Sequence, residues 1–125
     1  MGSDKIHHHH HHMFPYKIVD DVVILMPNKE LNIENAHLFK KWVFDEFLNK
    51  GYNKIFLVLS DVESIDSFSL GVIVNILKSI SSSGGFFALV SPNEKVERVL
   101  SLTNLDRIVK IYDTISEAME EVRRK

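Results

Sequence analysis

The sequence predicts one α/β domain: a mixed sheet of four to five strands with about four helices packed on it, in the order β-β-α-β-α-β-α-β-α. Three observations predict it. Two short β-rich runs, 16–19 and 22–26, flank Asp20-Asp21 and have the spacing of a tight hairpin. Two continuous apolar runs, 55–59 and 86–90, read as strands covered on both faces, as parallel interior strands are. A long amphipathic stretch joins those two runs, giving a strand–helix–strand unit for which a right-handed crossover is the strong default.

Residues 1–12 contain six consecutive histidines and read as an expression tag. Residues 13–125 then suit one domain with one core. A composition of 45% hydrophobic and 26% charged residues is that of an ordinary soluble globular protein. The net charge of −2 carries no nucleic-acid footprint. The absence of cysteine excludes disulfides and thiolate metal sites and fits a cytoplasmic chain. No apolar run nears the ~20 residues that span a bilayer, and no secretory signal follows Met13.

In chain order, Pro27-Asn28-Lys29 ends the hairpin. Asn32 or Asn35 is placed to cap a helix that runs to about Lys50 and stops at Gly51. Ala36, Phe39, Val43, Phe44, Phe47 and Leu48 recur at helical spacing as its core face. Leu38 and Trp42 lie to one side and are expected to close the edge of the core. Lys40, Lys41, Asp45 and Glu46 form the solvated side. After the strand at 55–59, a polar loop leads into a helix over 67–83. Its expected core stripe is Leu70, Ile73, Val74 and Leu77. Val72 and Ile76 point off that stripe, to be covered by a neighbouring element or by a partner protein. Gly84-Gly85 stops the helix. Ser91-Pro92-Asn93 opens another helix to about Leu102, with Val96, Val99 and Leu100 inward. A last strand over 107–112 follows. Thr114 caps the terminal helix with Glu117 at the capping-box position, and Arg123, Arg124 and Lys125 suit the negative end of its dipole.

Signals for enzymatic chemistry are poor. His37 is the lone histidine outside the tag, and a structural role is expected for it rather than a triad with Ser67 and an aspartate. No glycine-rich phosphate loop of the Walker or Rossmann kind is present. Asp61, Glu63 and Asp66 lack the glycine and terminal glutamate of an EF-hand and read as a solvated loop. Attention therefore falls on Asp66-Ser67, between the strand at 55–59 and the helix that follows. A helix N-terminus presents unpaired N–H groups and a partial positive charge, so a serine there can cap the helix or carry a phosphate. From the residues alone, capping by Asp66 or Ser67 is explanation enough.

Ile65-Asp66-Ser67 followed by Leu70-Gly71-Val72 resembles the phosphorylation-site segment of the bacterial anti-sigma-factor antagonists, the STAS-domain family. That family's pattern is hydrophobic-Asp-Ser-Ser/Thr/Ala-Gly-Leu-Gly at the start of the second helix. The resemblance extends from about Val22 to Ala118. Lys29-Glu30-Leu31-Asn32 stands where the family tends to have Gly-Glu-Leu-Asp. Ser91-Pro92, Val96, Arg98, Leu100, Leu105 and Ile108 follow the family's run into its last strand.

The resemblance implies a switch and not an enzyme. Such antagonists bind an anti-sigma factor that is also a serine kinase and so free a sigma factor; the kinase phosphorylates the serine after the motif aspartate, here Ser67, and the partner lets go. Phosphorylation would add ≈ −1.5 to −2 charges beside Asp66 at the contact surface. The expected partner-binding residues are Asp66, Ser67, Phe68, Ser69, Val72, Ile76, Glu30 and Asn32. No cofactor, metal, nucleic acid or membrane is expected, and a homodimer is left open. Three positions depart from the pattern. Phe68 replaces a small residue, Ser69 replaces glycine, and Asn32 replaces aspartate. A bulky Phe68 could obstruct a kinase or anchor a partner. The alternatives are an unphosphorylated scaffold or regulatory module on the same fold, and a nucleotide- or small-molecule-binding module using the same helix N-terminus.

Overall fold

The hairpin sets one edge of the sheet. Strands β1 (Tyr16–Val19) and β2 (Val22–Leu25) pair antiparallel across Asp20 and Asp21, whose φ of 49° and 61° are left-handed at both central positions. That backbone twists in the sense that flanking strands need, and aspartate tolerates it better than most residues. In the computed structural model, which describes residues 14–28, 31 and 34–124, strands β3 (Lys54–Val58), β4 (Phe86–Val90) and β5 (Lys110–Tyr112) add in sequence order. The sheet order is β1-β2-β3-β4-β5, parallel from β2 onward.

Helices α1 (Ala36–Glu46), α2 (Ser67–Ser82) and α3 (Glu94–Leu102) cover one face, and α4 (Ile115–Arg124) covers the other. Alternate strand residues serve the two cores. Val23, Leu25, Ile55, Leu57, Phe87 and Leu89 point to α1, α2 and α3. Val22, Ile24, Phe56, Val58, Phe86 and Ala88 point to α4. Burial on both faces is why the runs 55–59 and 86–90 are apolar without alternation.

Four expectations are corrected. Trp42 is buried instead of closing an edge: its ring packs against Phe14, Tyr16 and Phe47 at centroid distances of 5.2–5.6 Å. The chain leading into β1 brings Phe14 and Tyr16 onto that side of α1, which helical periodicity cannot foresee. Leu38 stays 49% exposed. The helix ends at Glu46, and the expected stop at Gly51 (φ 99°) closes a separate 3-10 turn, Leu48–Lys50. The last strand starts at Lys110 and not at 107, because residues 105–109 bond locally. Ile108 and Val109 both donate to the Leu105 carbonyl. The core stripe of α2 is Ser69, Val72, Ile73, Ile76 and Ile80, with Leu70, Val74 and Leu77 only half-buried. Val72 and Ile76 thus lie in the core, and α1 is the neighbour covering that flank of α2.

Gly85 shows how tightly α2 returns to the sheet. A Cβ there would lie 2.1 Å from the Asn53 carbonyl oxygen, which accepts the Phe86 N–H at 2.8 Å. Thr114 caps α4 by accepting the Glu117 N–H at 3.1 Å, while Glu117 reaches back to the Asp113 N–H, one residue before the expected partner. Among the described residues no helix is long and apolar enough to cross a membrane.

Candidate functional site

In a parallel sheet the loops after the strands gather at one edge, and they do so here after β2, β3 and β4. The loop from β3 to α2 is pinned by Asn93. Its Oδ1 accepts the Val96 N–H at 2.7 Å to cap α3, and its Nδ2 donates to the carbonyls of Val62 (3.1 Å) and Glu63 (3.3 Å). One side chain therefore fixes both the start of α3 and the approach to α2.

Asp66 is the N-cap of α2. Its backbone is extended (φ −118°, ψ −176°), its Oδ1 accepts the Ser69 N–H at 3.0 Å, and its carbonyl accepts the Leu70 N–H. The capping duty that could have fallen to Ser67 is taken by Asp66. Ser67 is the first residue of the helix, and it is exposed. Phe68 beside it is 57% exposed.

Ser69 behaves differently from its two predecessors. It is 2% exposed, and its hydroxyl donates to the carbonyl of Leu31, with the Asp66 Oδ1 a further 3.0 Å neighbour. Leu31 is itself buried and bridges Ile65 in parallel register. The loop between β2 and α1 is thereby latched to the head of α2. Glu30 and Asn32, on either side of Leu31, lie outside the described residues.

The expected site residues therefore divide. Asp66, Ser67 and Phe68 sit together at or near the surface, whereas Ser69 and Ile76 are buried and Val72, 9% exposed, reaches only the floor of the groove beside Phe68. Two residues expected to be structural or merely solvated belong to the neighbourhood. His37 and Lys40, in the first turns of α1, share a groove of about 310 Å³ with Ser67, Phe68, Gly71 and Asn75 of α2. Only the packing of α1 on α2 brings them together, since 27 or more positions separate them in the chain. Asp61 and Glu63 are exposed, and among the described residues no three histidine or carboxylate groups converge on a metal site.

Residues 13–118 match the family model of the STAS domain. A protein of Thermotoga neapolitana that carries the name of an anti-sigma factor antagonist homolog is 93% identical over 111 residues, covering 89% of this chain and 98% of its own. The anti-sigma F factor antagonist of Paenibacillus polymyxa is 29% identical over 101 residues, covering 81% and 86%. Among solved structures, an anti-sigma factor antagonist from Mycobacterium paratuberculosis superposes with a TM-score of 0.80 at 21% identity, over 89% of this chain and 93% of that one.

Proposed function

Since the chain belongs to the STAS-domain family, we propose that it is an anti-sigma-factor antagonist. It binds an anti-sigma factor that is also a serine kinase, frees the sigma factor held there, and is released when that kinase phosphorylates Ser67. The docking surface is Asp66, Ser67 and Phe68, together with Glu30 and Asn32, which flank Leu31 in the sequence. The chain itself catalyses nothing in this scheme.

The observation that carries this reading is the division of labour at the head of α2. With Asp66 capping the helix and Ser69 turned into the core, Ser67 is exposed and its hydroxyl has no hydrogen-bond partner among the described residues. A phosphate there meets the positive end of α2 and leaves the core undisturbed. Its added charge must be desolvated by any partner that covers Phe68, which opposes docking. The exposed Phe68 ring suits a hot-spot contact at the centre of such an interface.

The test is intact-mass analysis after incubation with ATP and lysate of the source organism, wild type beside Ser67→Ala. One phosphate on the wild type that is missing from Ser67→Ala is the expected result. An unmodified wild type, in a lysate competent on a second substrate, would refute the switch. The bulky, exposed Phe68 would then favour an unphosphorylated interaction module.

A further inference from the structure

We infer that the groove between α1 and α2 is the seat of the Ser67 phosphoryl group, held in cis by Lys40 with His37 as a second donor. This rests on the phosphorylation proposed above and adds what the phosphate does once it is made. Ser67 lines the groove from α2, and Lys40 and His37 line it from α1. Among the described residues no carboxylate lines it; Asp66, next to Ser67, has its Oδ1 on the Ser69 N–H. At about 310 Å³ the groove is at the small end of ligand-sized pockets, and it has room for a phosphoryl group.

The chemistry is a charge-assisted hydrogen bond from the Lys40 ammonium to a phosphoryl oxygen, supplemented by the unpaired N–H groups of the first turn of α2. Lys40 is half-buried, so this attraction is less screened than at an open surface. Lys41, the next residue, is engaged elsewhere, 2.8 Å from the Asp45 carboxylate on the outer side of α1. Only one of the two adjacent lysines therefore serves the groove. The bound phosphoryl group fills the hollow beside Phe68 that a partner side chain would enter. The off state is then an occupied site as well as a charged surface.

The test uses full-length protein with phosphoserine installed at position 67 during synthesis, so it runs whether or not a native kinase modifies Ser67. The second ionisation of the phosphate, ordinarily near pH ≈ 6, is followed by phosphorus NMR in wild type, Lys40→Ala, Lys40→Gln and Lys41→Ala. Each variant is also melted to show that it is folded. The expected result is that both Lys40 variants raise the phosphate pKa by roughly half a unit, while Lys41→Ala leaves it in place. Equal values in all four proteins, or equal shifts for Lys40→Ala and Lys41→Ala, would overturn the inference. A phosphate that titrates as expected here but is never added by the lysate would instead defeat the proposed function alone.

Discussion

Replacing Ser69 tests how the site is built. Its hydroxyl has two acceptors near it, the Leu31 carbonyl and the Asp66 Oδ1, but only one proton to give. Ser69→Ala therefore removes one hydrogen bond and not two. A net hydrogen bond is worth ~1 kcal/mol, and leaving a buried carbonyl short of a partner costs ~1–3 kcal/mol. Because Leu31 is 2% exposed, water reaches its carbonyl poorly, and a total of about 1–2 kcal/mol is expected. For a domain of this size that is a drop in Tm of roughly 4–8 °C. Ser69→Gly should fall further than Ser69→Ala by roughly 0.8–1 kcal/mol, since glycine is the poorer helix former. Thermal melts give the totals, and amide exchange on the loop around Leu31 locates the loss. A Tm within about 1 °C of wild type, with exchange around Leu31 unchanged, would refute the latch.

Two further predictions concern the core and the edge of the sheet. Ile76 is fully buried, so Ile76→Ala should cost ~2–5 kcal/mol in urea unfolding; a stability unchanged from wild type would favour cover by a partner protein over cover by α1. Burial, and then the Glu121 carboxylate, raise the Tyr112 phenol above its ordinary value of 10.0. The unfolded chain loses this proton first as pH rises, so the contribution to stability is whole below pH ~10 and fades as pH climbs through the folded value. Tyr112→Phe should flatten that alkaline decline in melts run against pH, and an unaltered decline would show that Tyr112 is not its source.

The parts of this fold that were legible in the sequence are those governed by local pattern. The Asp20-Asp21 hairpin, the doubly apolar strands and the helix starts at Asp66-Ser67 and Ser91-Pro92-Asn93 each follow from a few adjacent residues, although the choice of Asp66 over Ser67 as cap does not. The parts that were not legible depend on a neighbour distant in the chain. The α2 stripe read from α2 alone chose Leu70, Val74 and Leu77, all half-buried, because every face of that helix carries apolar residues. What selects Val72 and Ile76 is α1, packed on that flank. Trp42 went the same way, placed at an edge until Phe14 and Tyr16 came across it. Ser69 gave the least warning. A serine in place of glycine near a surface motif suggests a surface change, and only the approach of the Leu31 carbonyl makes it an internal one.

That approach also explains how a switch can be placed on a helix without endangering the helix. Successive residues of an α-helix are turned by about 100°, so Ser67 and Ser69 differ by about 200° and face nearly opposite ways. One hydroxyl is offered to solvent while the other is spent on the core, and Asp66 caps the backbone between them. A charge added at Ser67 then acts on whatever covers Phe68 or fills the α1–α2 groove, with no path into the latch. Moving the phosphoacceptor two positions along would do the reverse. A phosphate at Ser69 would have to be buried against the Leu31 carbonyl and the Asp66 carboxylate, at a desolvation cost of several kcal/mol per charge, comparable with the ~5–15 kcal/mol that holds a domain folded. Regulation by phosphate is compatible with this fold at the first position of α2 and incompatible with it at the third.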